Sequence, residues 1–457
     1  MNRRRAFGVV LAVGLGGCDG GSSGGADVAS VGDGLGTVDV VAAGDAADAS
    51  DASGTSDAAD PYAAWPDPTT VFPWVAAPDP DKPPYADARW ETEDWGLEDP
   101  IVLDYFEKLQ KHYTTASPDL VAHFTQAGGE IPPLGGGIVL SFSGDILYLG
   151  GNWSDFAKGA EPVTRADLRI GNLETAVSAL KPPGKGGVPI RFNAPPEMLD
   201  NLPFDLLQLN NNHTLDADDD GALSTKEQAE ARGYRTTGLN GHATLDVKGK
   251  QVAVLSYTWG VNRRDYETAH DLFVVPFGHK GEVDLSRIEA EVGEARAGAD
   301  YVVVLLHWGY EFEWYPDPRF LQMARQMVSF GADVIAAQGP HVVQPAELCW
   351  VNHPEKVPGI GTCSVRSADG RKRRAAVLYS LGNFTNDVPD RIEVETGVIG
   401  KVSLDGDVTG LGWTPVVLRH DPPRVEPADA NVDDPEVAAE LKRLDEHLGA
   451  GWRLPVE

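Results

Sequence analysis

Tyr301-Val302-Val303-Val304-Leu305-Leu306-His307-Trp308-Gly309 is a short apolar run, half of it valine, that stops on an imidazole and a glycine. Six such residues with helix-like spacing before them at 285–297 and after them at 319–330 read as a strand buried on both faces. The same signature recurs at 138–142, 206–209, 252–257, 334–337 and 376–379, and another helical stretch lies at 226–232. The alternation is that of an α/β domain. Two further runs, 398–404 and 408–418, are split by Asp405-Gly406-Asp407 and read as a hairpin, and a last helix at 434–448 is expected to pack outside. No internal repeat is visible.

In α/β sheets ligands collect beyond the carboxyl ends of strands. Here those ends carry Asp145 after Gly144, Glu174 after Asn172, Asn212-His213, His307 with Glu311 four positions on, and His341 after Gln338-Gly339-Pro340. Oxygen and imidazole donors supplied one strand end at a time suit a divalent transition metal. An isolated Asp or Asn after a strand is ordinarily a cap or turn former, and an isolated His a hydrogen-bonded bystander. Five strand ends repeating the same chemistry are poorly explained by capping. Two metals about 4 Å apart would activate a water and hold both oxygens of an in-line displacement. In that scheme Asp145, Glu174, Asn212, His307 and His341 hold metal and His213 acts as acid. Glu311 orients a ligand imidazole or acts as base.

Gly144-Asp145, Asn172-Leu173-Glu174, Pro195-Pro196-Glu197, Asn211-Asn212-His213 through Asp216, His307-Trp308-Gly309-x-Glu311, Gly331-Ala332-Asp333-Val334, Pro340-His341-Val342-x-Gln344-Pro345 and Tyr379-Ser380-Leu381-Gly382-Asn383-Phe384 follow one another in a familiar order. On these stretches the chain resembles the bacterial capsule synthesis proteins called CapA, or PgsA in poly-γ-glutamate producers, whose domain is similar to the calcineurin-like metallophosphoesterase fold. The resemblance implies a four-layer α/β/β/α sandwich over residues 137–420 and a divalent metal of the Mn, Fe or Zn class. It also implies an envelope role in making or exporting an anionic polymer, within a capsule synthesis complex, as metal-dependent hydrolase or as non-catalytic scaffold. A plain metallophosphoesterase is the remaining alternative. Leu147 and Gln338-Gly339 stand where a complete phosphoesterase would offer imidazoles, which leaves one metal, or a pocket used only for binding, beside the two-metal scheme.

Asp216-Ala217-Asp218-Asp219-Asp220-Gly221 through Glu227 also matches a calcium loop, with Asp216, Asp218, Asp220 and Glu227 as ligands. Asp216, Gly221, Leu223 and Thr225 equally fit the CapA-like pattern, in which they lead into a helix. Cys349 and Cys363 read as a disulfide clipping a hairpin or loop. Arg371-Lys372-Arg373-Arg374 is the one basic run, either a meeting point for an anionic polymer or a solvated loop tip.

The chain has 69 acidic against 38 basic residues, a net charge of -31, which excludes an ordinary nucleic-acid partner. Much of that charge sits in residues 19–60, rich in Gly, Ala, Ser and Asp with no Lys or Arg, which is expected to be a disordered tether. Residues 1–18 have a basic start, a short apolar stretch and a Leu-x-Gly-Cys ending that resembles a lipobox, implying lipidation of Cys18 and a membrane-anchored envelope lipoprotein. Residues 61–136 form an extension with Trp65, Trp74, Trp90 and Trp95 and helical spacing at 101–113 and 120–124; residues 421–457 hold the last helix and tail.

Overall fold

A computed structural model describes residues 116–125 and 132–456, except 149, 151–154, 187–189, 263–267, 276, 278–282, 387–390 and 421. The leader with Cys18, the tether, the four tryptophans of the extension and the helix expected at 101–113 lie outside the described residues.

The chain first lays down β1 (Ile138–Ile146), β2 (Leu168–Asn172), a small ribbon of β3 (Gly184–Gly186) and β4 (Arg191–Asn193), then β5 (Leu206–Gln208) and β6 (Arg235–Thr237). It continues with β7 (Ala243–Val247), β8 (Lys250–Thr258), β9 (Tyr301–His307), β10 (Val334–Gln338), β11 (Ala346–Val351), β12 (Thr362–Val365) and β13 (Arg373–Leu378). It returns with β14 (Asn383–Thr385), β15 (Thr396–Leu404), β16 (Val408–His420) and β17 (Pro423–Pro427). One sheet runs β17-β16-β15-β1-β2-β5-β6, with β14 beside the end of β1; the other runs β12-β11-β13-β10-β9-β8-β7. The first sheet is antiparallel from β17 to β1 and parallel from β1 to β6; the second is parallel from β13 to β8, with β7 and β11 antiparallel to their inner neighbours and β12 parallel to β11.

β9 shows why the sheets stack. Its odd residues Tyr301, Val303 and Leu305 point into the core between the sheets, where they meet Leu140, Phe142, Ile170, Val334 and Val402. The even residues Val302, Val304 and Leu306 face a second core under the helices Ser286–Gly298 and Pro318–Phe330. Each such side chain contributes about 1.5–3 kcal/mol when fully buried. The first sheet buries its outer face, with Leu207 of β5, under Phe204, Ala222 and Ala229, the last two from the helix Asp218–Ala231. The result is the four-layer α/β/β/α sandwich, which needs every central strand to be apolar on both faces. The helix Pro435–Leu444 packs Val437 and Leu441 on Val417 of β16. Among the described residues no helix is long and apolar enough to cross a membrane.

Two sequence expectations need correction and a third is narrowed. The calcium loop does not form, because Asp218–Ala231 is helix and residues 218–227 lie on it. Asp218, Asp219 and Asp220 sit in its first turn, where negative charge favours the helix dipole. Asp218 pairs with Lys181 and Asp216 turns to His213, so Asp216, Asp218, Asp220 and Glu227 do not share an ion. Cys349 and Cys363 are bonded to each other, as expected, and they join the neighbouring parallel strands β11 and β12, so of the hairpin and loop alternatives it is the loop that the bond closes. Only half of the basic run is a solvated loop: Arg371 and Lys372 are exposed ahead of β13, but Arg373 starts that strand, is buried, and caps the helix Pro318–Phe330 by donating to the carbonyls of Val328 (2.6 Å) and Ala332 (2.8 Å). Its neighbours pair with Asp407 and Glu355, so no cationic patch results.

Glu347 of β11 is buried on the helix side, where Arg325 (2.5 Å), His123 (2.5 Å) and the Tyr379 hydroxyl (2.7 Å) converge on it. Burial works against its carboxylate, yet Arg325 and then His123 hold it well below the ordinary 4.5. Its stabilisation is therefore present above that value and lost as pH falls through the lowered one. Arg325→Met leaves this buried charge with only His123 and the Tyr379 hydroxyl, with an expected loss of about 3–5 kcal/mol in denaturant unfolding at pH 7. The deficit should shrink below pH 4.5.

Candidate metal centre

The carboxyl ends of both sheets meet at Asp145. Gly144, just before it, packs so closely on the chain after β13 that a Cβ there would lie 1.9 Å from the Gly382 carbonyl oxygen. That approach lets the Asp145 N–H donate to the Gly382 carbonyl at 3.0 Å and brings Asn383 into register with Asp145. From the second sheet, the Gly339 N–H donates to Asp145 Oδ2 at 3.2 Å. Gly339 has φ +115°, and a Cβ would meet the Trp308 carbonyl oxygen at 2.6 Å, so glycine is required. Two residues on, His341 is held at φ 58°, a left-handed conformation that costs on the order of 1 kcal/mol or more.

Around this junction Asp145, Glu174 and His341 bring one ligand atom each within 4.8 Å of one another. His341 Nδ1 lies 3.2 Å from Asp145 Oδ2 and 3.8 Å from Glu174 Oε2. His307 Nε2 is 3.4 Å from Glu174 Oε1, and its Nδ1 is 3.9 Å from Asp145 Oδ1. All four side chains are largely or fully buried.

The family model for the bacterial capsule synthesis protein PGA_cap matches residues 139–388, more than half of the chain and every residue of this pocket. The chain belongs to the PGA_cap family. It is 27% identical over 270 residues to the "PGA biosynthesis protein CapA" of Bacillus subtilis strain 168, covering 54% of this chain and 63% of that protein. It is 26% identical over 261 residues to the "Capsule biosynthesis protein CapA" of Bacillus anthracis, covering 54% and 56%. The chain thus spans less than two thirds of either relative's length. A hypothetical protein of Thermus thermophilus aligns at TM-score 0.33 and 15% identity over 61% of this chain and 98% of that one, too weakly for the fold to be argued from it.

Within this PGA_cap domain the polar neighbours of the four residues orient them. Asn172 Nδ2 donates to Asp145 Oδ1 at 2.7 Å and lies 3.3 Å from His307 Nδ1; Asn211 in turn donates to Asn172 Oδ1 at 3.1 Å. Asn383 Oδ1 lies 3.0 Å from His341 Nδ1. None of Asn172, Asn211 and Asn383 was among the expected ligands. Their signal was present, since Asn172 and Asn383 end β2 and begin β14 in register with Asp145. Glu311 sits 3.9 Å from His341 Nε2 rather than beside His307. His213 holds Asp216 Oδ2 through Nδ1 at 2.6 Å and packs 4.8 Å from the Phe192 ring. It lies close enough for a charge on it to disfavour protonation of His307. Asn212 is buried on the same turn, and its Oδ1 has no hydrogen-bond partner among the described residues. Gln338, where an imidazole was missed, lies in register with His307 and leaves Oε1 without a partner among the described residues.

The charge balance is the informative part. Burial and the neighbouring Asp145 push the Glu174 carboxyl well above its ordinary value, and neither Glu174 oxygen accepts a hydrogen bond from an N–H or O–H donor among the described residues. Burial opposes the Asp145 carboxylate as well, but His341, His307 and Asn172 hold its pKa down. Burial lowers His307 to about 3, so its imidazole is neutral. His341 is raised despite burial by Glu174 and Asp145, so without another cation its own proton compensates the acids. Two buried carboxylates, a neutral imidazole, a second imidazole and orphaned amide oxygens make a donor set that fits a divalent cation. The other acid and sulfur cluster, Glu347 with Cys349 and Cys363, is closed to metal by the disulfide.

In protein kept free of divalent cations, Glu174→Gln replaces an acid whose ionisation burial opposes with a neutral amide of the same shape and should raise the unfolding midpoint at pH 7. Each pKa unit of elevation corresponds to about 1.4 kcal/mol. An unchanged or lowered midpoint by calorimetry would mean that the charge is already compensated.

Proposed function

We propose that this chain is an exported, lipid-anchored member of the family that acts on an anionic surface polymer, poly-γ-glutamate or capsular polysaccharide, beside other capsule synthesis proteins. A divalent metal of the Mn, Fe or Zn class would be held by Asp145, Glu174, His307 and His341, with Asn212 as an amide-oxygen donor. The observation that carries this reading is Glu174, a buried carboxylate with two oxygens that no described donor satisfies. The names of the two Bacillus relatives support the polymer.

A bound cation supplies Lewis acidity toward a phosphoester or amide oxygen. The chain's own groups do the rest. Asn172 and Asn383 hold Asp145 and His341 in place. Asp216, hydrogen-bonded to His213 Nδ1, orients that ring so that Nε2 can deliver a proton to a leaving group. Glu311 lies beside His341 Nε2, where it can take a proton from that ring. Buried Leu147 and Gln338, in place of imidazoles, favour a second reading, a pocket that grips polymer without turnover.

Purified protein should carry close to one divalent metal per chain and cleave a phosphodiester or γ-glutamyl substrate. His307→Ala should strip the metal and cut activity by at least about a hundredfold. Metal-free protein with no activity to lose would leave the scaffold reading standing. For the anchor, Cys18→Ser should abolish labelling by a lipid precursor and release the protein from membranes; labelling that persists would end the lipoprotein reading.

A further inference from the structure

Between Glu174 and Glu197 the sequence holds Lys181, Lys185 and Arg191 and not one acidic residue, in a chain where acids outnumber bases 69 to 38. This stretch carries the β3–β4 ribbon, in which Gly184 pairs with Asn193 and Gly186 with Arg191. Its base is well tied. Asn193 Oδ1 accepts from the Ser178 N–H at 2.8 Å, Asn193 Nδ2 donates to the Lys181 carbonyl at 2.9 Å, and Lys181 pairs with Asp218. Phe192 then fixes the ribbon to the metal centre's edge: its N–H donates to Asp216 Oδ2 at 2.6 Å and its ring lies 4.8 Å from His213. Arg191, the next residue, is exposed, and its charge reaches the Asp216 carboxylate that orients His213. Lys185 is exposed on the facing strand. Leu180 (65% exposed) and Ile190 (36%) lie at the same ribbon, an unusual place for large apolar groups on so charged a chain.

We propose that this ribbon is the polymer-recognition edge of the site, with Lys185 and Arg191 as specificity-determining residues for a chain bearing repeated carboxylates. The reading rests on the anionic substrate proposed above. The two cations would meet successive carboxylates as the polymer leaves the pocket past His213, and Leu180 and Ile190 would lie against the apolar linkers between charges. Local positive charge against a strongly negative background concentrates a polyanion where it would otherwise be repelled. Two sources offer this chemistry, an amide-linked polyglutamate with methylene spacers or a polyuronate, and the exposed apolar pair favours the first.

The test is titration calorimetry of the full-length protein with poly-γ-glutamate, polygalacturonate and neutral dextran at several salt concentrations. Binding of poly-γ-glutamate or polygalacturonate but not dextran is expected, weakening as salt screens the contacts. Lys185→Gln with Arg191→Gln should lower that affinity at least about tenfold and flatten its salt dependence, while metal content and unfolding midpoint stay unchanged, and Arg191→Lys should recover part of it. Metal content is measured on the same samples, so affinity lost in the doubly neutral variant at unchanged metal content bears on the ribbon alone and not on the metal reading. Equal binding by the doubly neutral variant, equal binding of dextran, or no binding of either polyanion by the wild type would overturn the proposal.

Discussion

Two carboxylates buried side by side cannot both stay ionised unless positive charge or a proton is brought to them. Asp145 and Glu174 impose that constraint where the carboxyl ends of the two sheets meet, and much of the surrounding chain can be understood as answering it. His341 adopts a left-handed backbone to reach both acids. His307 stays neutral between them, and Asn172, Asn211 and Asn383 spend their amides on orientation. The glycines at 144 and 339 remove side chains so that backbone from each sheet can close on Asp145. Such an arrangement costs folding energy, which a protein tolerates where the strained groups have work to do.

The fold was legible where strands are long and buried on both sides. The run 301–307 could hardly be anything else, and β1, β8 and β10 share its character. What the sequence hid were the outer strands. β7, β11 and β12 mix polar and apolar residues and sit at or near a sheet edge, and the pairing of β11 with β13 is decided by a partner more than twenty positions away. Local pattern carries no information about such partners.

The site was legible in its charged members and hidden in its neutral ones. Asp145, Glu174, His307 and His341 were readable because titratable groups at strand ends are conspicuous; asparagine there looks like ordinary turn chemistry, so Asn172 and Asn383, though visible in the motif stretches, were given no role. Two local motifs misled for a related reason. The acidic run after Asp216 has ligand spacing, but its neighbours Ala222, Lys226, Glu227, Gln228 and Ala229 are good helix formers, and a helix separates residues that a calcium loop would gather. The basic run 371–374 looked solvated, yet Arg373 is taken inside to satisfy the last carbonyls of a helix.

The bond between Cys349 and Cys363 fastens the outermost strand of the second sheet to its neighbour. An edge strand held only by hydrogen bonds can peel away residue by residue and offer its open rim to another molecule. Here β12 can leave only if β11 leaves with it, and β11 is anchored through Glu347 to the core. The rim therefore shares the fate of the interior, and fraying at that border becomes an all-or-none event instead of a gradual one.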